Sequence, residues 1–446
     1  MTSGAGIAGL ARRAARLLLA ATLALVVART ALARPDEPDA AQPPDGGDAP
    51  LLDLGGARTL EAALAQLPAA LRSNYVLMFH SRSLQEASPA EPRVLLYSRD
   101  ATLVVAFNAN AAQRGGDALE VMRYDARSAR FLFQELRFPA GAESSGPVAS
   151  PLNPPQCLAC HGAVARPIWD TYPAWPGAWG ERYRAALPEE QADALRRFMA
   201  AREAHPRYRW LLQTGRYVQS LTASRRETYN RAAPEPSTFE FTQRLARLNL
   251  HSIAAQLAAA PDYPAFRHAL LASVAPRCAD PAAAFPDAWS AGVRREYVDW
   301  VRQTRSANDA QEAHKQARLQ DAAARRDAGV DVESLDALRY LAQRWMGLDT
   351  SAWTLAFEKG TYDYAGPSSA ALLHAFLLEQ AARRDAGLAQ LSVANVSDED
   401  RRYCALLQRR SRESLAPLLE RGSALQADQL PPQAPGVRVA APQAHQ

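Results

Sequence analysis

The sequence predicts an α+β fold in which a small N-terminal antiparallel β module precedes a mostly α-helical region. Two patterns carry that expectation. Between Leu51 and about Pro139, short runs rich in Val, Leu, Phe and Tyr alternate with turn-forming clusters, a close spacing that suits antiparallel strands. After Pro188 the apolar residues recur at helical spacing almost to the end. The 446-residue length suggests about two or three domains, and the 48% hydrophobic and 22% charged content is that of an ordinary globular protein.

The first element is not expected to belong to the fold. Arg12, Arg13 and Arg16 precede the apolar run LLLAATLALVV, and Ala31, Leu32 and Ala33 form the small-x-small pattern that signal peptidase reads. Residues 1–33 therefore read as a signal peptide, too short in its apolar part to span a bilayer comfortably. Residues 34–50 (RPDEPDAAQPPDGGDAP) are acidic and rich in Pro, Gly and Ala, and read as a disordered leader. The formal net charge of +4 resides in the arginines of the signal segment, and only Lys315 and Lys359 are lysines. Nothing in this balance points to a nucleic-acid partner. No second long apolar run follows, so no membrane span is expected once the signal is cleaved.

The α/β module is expected over residues 51–140. TLEAALAQLPAALRSN reads as a short helix, and strands are expected at YVLMF from Tyr75, RVLLYS from Arg93, TLVVAF from Thr102, ALEVMRY from Ala118 and RFLFQELRF from Arg130. Gly141 to Pro155 reads as a linker. The mostly helical region is expected over 150–425. Ser237 and Glu240 make a capping box for a helix carrying Phe241, Leu245, Leu248 and Ile253 on one side. Asn308 to Arg326 is helix-forming but polar, Trp353 to Tyr364 suits a hairpin, and residues 426–446 read as a disordered tail.

One stretch carries chemistry. In QCLACHGAVARPIWDTYPAWPG, from Gln156 to Gly177, Cys157, Cys160 and His161 form C-x-x-C-H, the attachment signature of c-type haem. Two thiols three positions apart reach the two vinyl groups of one porphyrin, and the adjacent histidine supplies a nitrogen to the iron. A thioredoxin-like C-x-x-C expects a βαβ setting, whereas Asn153-Pro154-Pro155 precedes this one. A zinc site wants further ligands at recognisable spacing, and none follows. A disulfide within the motif is sterically awkward. Cys278 and Cys404 are then left, as a structural disulfide or as two buried thiols.

Downstream of the motif, Arg166 is placed to meet a propionate. Trp169, Tyr172 and Trp175, with Trp179 and interleaved prolines, make a stiff aromatic segment suited to cover a flat macrocycle or to dock the two regions. CLACH with NPP before it and RPIWDTYPAWPG after it, the upstream VLMFHSRSLQ, PRVLLYS and FNAN, and the downstream RLARLNLHSIAAQL resemble a group of uncharacterised exported bacterial proteins with one c-type haem motif, cytochrome c-like. That resemblance implies covalent haem and export. The 150–425 region is then the haem-bearing one, and the location is the periplasm.

The function turns on the residue that faces His161 across the iron. Met199 and His251 are the sequence candidates for the sixth ligand. A strong protein ligand makes a monohaem electron carrier whose partners are other redox proteins. An open position makes a haem enzyme or a gas or small-molecule sensor. A third reading treats the haem as a structural part of an interaction protein.

Overall fold

A computed structural model describes residues 50–81, 83–139, 146–162, 164–167, 177–179, 189–212, 237–275, 280–318, 332–350, 369–382 and 397–423, with single positions 278, 353 and 388. The expected signal segment, the tail, the leader up to residue 49 and all of the expected hairpin except Trp353 lie outside the described residues.

The predicted first helix is two. α1 (Leu60–Gln66) starts at Thr59, whose hydroxyl accepts the Ala62 N–H at 3.1 Å, and α2 (Ala69–Ser73) restarts after Pro68. Proline disfavours helical backbone at Leu67 before it, which ends α1. The strands follow as a meander: β1 (Tyr75–Met78), β2 (Arg93–Tyr97), β3 (Leu103–Phe107), β4 (Ala118–Asp125), β5 (Arg130–Arg137) and β6 (Val148–Ala149). Each pairs antiparallel with the next, so spatial order equals chain order. β6 falls inside the expected linker, because two residues are too few to display an alternation.

Both faces of the sheet are covered. Successive strand side chains point to opposite faces. Tyr75 and Leu77 of β1 and Leu119 and Val121 of β4 pack with Leu60 and Leu64 of α1 and with Leu195 and Phe198 of α4 (Glu189–Ala201). Val76, Met78, Tyr97, Met122 and Phe133 look the other way and pack with Phe241 and Leu245 of α5 (Ser237–Ala259). Tyr97 stacks on Phe241 with ring centres 4.6 Å apart. This burial on both sides explains why the strands read as apolar runs and not as a clean apolar–polar alternation.

α5 joins two cores. It has 23 residues, or about 34 Å at 1.5 Å per residue, and its first turns lie on the sheet. Leu250, Ile253 and Leu257 then enter a helical core with α6 (Tyr263–Val274), α7 (Asp287–Arg318), α8 (Val332–Tyr340), α9 (Ser369–Ala382) and α10 (Ser397–Ser423). The division expected between residues 140 and 150 is therefore not where packing changes. A sheet with two apolar faces needs more cover than α1 and α2 provide, so the chain supplies it from helices after residue 150. Among the described residues no helix is long and apolar enough to cross a membrane.

Candidate haem attachment site

Asn153 sets the entry to the C-x-x-C-H segment. Its backbone is left-handed, φ +51°, a conformation that asparagine tolerates better than most residues. Its side-chain oxygen accepts the Phe133 N–H at 2.8 Å and its own N–H donates to the Phe133 carbonyl at 2.7 Å. Pro154 then precedes α3 (Pro155–His161), with Pro155 at the first helical position where a missing N–H costs nothing. α3 stops at Gly162, φ +86°, whose N–H reaches the Leu158 carbonyl at 2.9 Å. No residue of α3 is fully buried, but Cys157, Leu158 and His161 are half-buried. A short helix with two proline-shaped residues at its start and a glycine at its end thus presents the motif at the sheet surface.

The four cysteines sort into two kinds. Cys278 and Cys404 form a disulfide with Cα atoms 5.4 Å apart, while Cys157 and Cys160 are free thiols. Three positions apart on a helix, Cys157 and Cys160 share a side. Cys157 leans on the sheet layer of Val76, Met122 and Phe133, and Cys160 is exposed. Burial pushes the Cys157 thiol up to about 12, with the carboxylates of Glu120 and Glu135 and the Cys160 thiol adding to the effect.

Beneath the motif lies a charged cluster. Arg93 pairs with Glu120, and its Nε donates to Gln85 Oε1 at 2.8 Å. Gln85 in turn donates to the Ala118 carbonyl at 2.9 Å. Burial raises the Glu120 pKa against the pull of Arg93, and Glu135, its partner across β4 and β5, raises it further.

His161 is fixed in position and in protonation. Its ring lies on Phe133 with centres 4.0 Å apart, and Nδ1 is 2.6 Å from the Arg166 carbonyl oxygen. A carbonyl can only accept, so Nδ1 carries the proton and donates. Burial is the largest influence on the imidazole; it and the nearby Arg93 and Arg166 cations lower the pKa to about 4, against the Arg166 bond that raises it. The ring is therefore neutral at neutral pH, with its lone pair on Nε2. Metal-ligating histidines are held in this way, the second nitrogen donating to a carbonyl or carboxylate.

Arg166 adds the last component. Its Nε and Nη1 are buried without a hydrogen-bond partner, and burial lowers its pKa while Asp349 opposes the shift. A half-buried guanidinium with two unmatched nitrogens suits an anionic group such as a propionate. Two free thiols on one side of a helix, a neutral imidazole with its lone pair on Nε2 and a cation with two unmatched nitrogens together fit a covalently held haem. Among the described residues no group of three or more His, Cys, Asp and Glu is placed to hold a bare metal ion.

The remaining expected site residues divide. Trp169, Tyr172 and Trp175 lie outside the described residues. Trp179 does not cover the motif: Gly177 and Ala178 add to the free edge of β1, and Trp179 turns into the layer on the other face of the sheet, beside Phe198. Only glycine fits at 177, since a Cβ there would stand 2.6 Å from His80 Cβ. Met199 packs into that same far layer, so the sheet stands between it and Cys157. His251, on α5, lies on the near side, 2.6 Å from the Tyr124 hydroxyl through Nδ1. Two residues that position the site, Asn153 and Phe133, were not singled out from sequence; a lone asparagine before two prolines was the only local signal. No protein-family model, curated protein or solved structure matches this chain.

Proposed function

We propose that this chain is an exported, periplasmic, monohaem c-type cytochrome-like protein that carries one electron at a time between redox partner proteins. The observation that carries this reading is the state of His161: Nδ1 is committed to the Arg166 carbonyl, which leaves the lone pair on Nε2, on the same short helix as two free thiols. Cys157 and Cys160 anchor the group through thioethers, and His161 holds it from one side. Arg166 offsets the charge of a propionate. When bound, the haem supplies a one-electron Fe(III)/Fe(II) couple. Phe133 and the apolar sheet face behind Cys157 keep water from the imidazole side, and the exposed Cys160 edge is where a partner approaches.

The test is covalent attachment. Chain matured in a periplasm that installs c-type haem should keep its haem stain through a denaturing gel, and Cys157→Ser with Cys160→Ser should lose it completely. A double variant that still stains would refute the attachment, as would an unstained wild type.

A further inference from the structure

We infer that His251 is the sixth iron ligand, so that His161 and His251 hold the haem between two imidazoles; this rests on the attachment proposed above. Three observations lead there.

The first is placement. His161 stands on Phe133 of β5, and His251 bonds to Tyr124 of β4. Met122 is the cross-strand partner of Phe133, and Tyr124 is the partner of Phe131, their rings 4.9 Å apart. Phe133 and Phe131 are two apart on one strand and face the same way, about 7 Å along it. The residues that hold the two imidazoles are therefore neighbours on one sheet face, with His161 coming to them from α3 and His251 from α5.

The second is orientation. Both histidines are tied down through Nδ1, one by the Arg166 carbonyl and the other by the Tyr124 hydroxyl. Ligation through Nε2 has the His251 Nδ1–H donating to the Tyr124 oxygen, the same arrangement as at His161. Phe376 of α9 meets the His251 ring edge-on at 5.2 Å, so the ring is held from the sheet and from the helical side together.

The third is the position of the other candidates. Met199 lies across the sheet and Met346 in the helical core. Met78 and Met122 share the near face but are 5% and 6% exposed, packed as part of its apolar layer. His374 is bonded through Nε2 to Tyr403 in the helical region.

The experiment uses haem-loaded protein, with covalent haem quantified in every sample by its pyridine spectrum. The wild type should be low-spin with the electron paramagnetic resonance of a bis-imidazole ferric haem, and its reduced bands should not move with carbon monoxide. His251→Ala should become high-spin and bind carbon monoxide. His251→Met should regain a low-spin spectrum with a higher midpoint potential, because methionine ligation raises it; this also shows that the altered chain folds. Met199→Leu, on the other face of the sheet, should behave as wild type. A haem-loaded His251→Ala that stays low-spin and closed to carbon monoxide would overturn the assignment and leave the attachment intact, and so would a His251→Met potential equal to that of the wild type. A wild type that binds carbon monoxide freely would do the same. Absence of covalent haem from the wild type would overturn both readings.

Discussion

The chain holds two pairs of cysteines, and the fold treats them oppositely. Cys157 and Cys160 are three residues apart and stay as thiols on a short helix with no fully buried residue, against one face of the sheet. Cys278 and Cys404 are 126 residues apart in sequence, nearly fully buried in the helical core, and bonded to each other. The contrast follows from geometry. Within one helical turn the Cβ atoms are poorly placed for an S–S bond, whereas two distant segments packed side by side can bring Cα atoms to the usual separation. One pair is thus available to a ligand, and the other serves the fold.

Each prediction tests that division, beginning with the largest effect. Replacing Cys278 and Cys404 by alanine opens a long loop in the unfolded chain and should cost roughly 5 kcal/mol, while leaving the haem stain per folded molecule unchanged. Urea denaturation and a stained gel report the two quantities; haem loss in molecules that remain folded would show that the division is wrong. The next effect concerns histidines. His374, buried in the helical region beside Tyr403, is lowered by burial to about 4. The unfolded chain takes its proton near 6.5 and the folded chain only near 4. The stability from keeping it neutral is therefore complete above pH 6.5 and is lost as the pH falls through that window, by up to about 3 kcal/mol. Urea midpoints at pH 7 and pH 4.5 should differ less in His374→Gln than in the wild type; an equal pH dependence would remove His374 as a source of the loss.

Asn153→Ala acts at the motif. It removes the bond to the Phe133 N–H and leaves a left-handed backbone to an alanine, together about 2 kcal/mol. Asn153→Gly relieves the backbone part and should lose only about 1 kcal/mol. Equal losses in a thermal melt would mean that the left-handed turn does not matter. The smallest effect is a gain. Arg166→Met removes a half-buried cation with two unmatched nitrogens, so the haem-free chain should become more stable by about 1 kcal/mol. With haem attached the same change should weaken it, and a gain in both states would argue that Arg166 meets no anionic group.

Much of this fold was legible. The five longer strands fall where apolar runs and turn clusters place them, and α5 begins at the expected Ser237. The break at Pro68 and the two-residue β6 were missed, the first because a helical pattern continues across the proline and the second because pairing with β5, not side-chain pattern, defines it. At the site, C-x-x-C-H was visible as a string. The Asn153 turn, the Phe133 ring under His161 and the commitment of Nδ1 to Arg166 were not.

The sequence alone determined what depends on near neighbours: the strand and helix periods, the thiol and imidazole spacing within one helical turn, and the prolines and glycine that bound that turn. Only the tertiary structure decided which face each element occupies. Met199 and His251 both sit on helices downstream of the motif, yet one packs behind the sheet and the other in front of it. The same holds for Cys278 and Cys404, whose pairing required α10 to dock beside the end of α6. Such choices are made by long-range burial of apolar faces, and one chain segment carries no record of which partner will cover it.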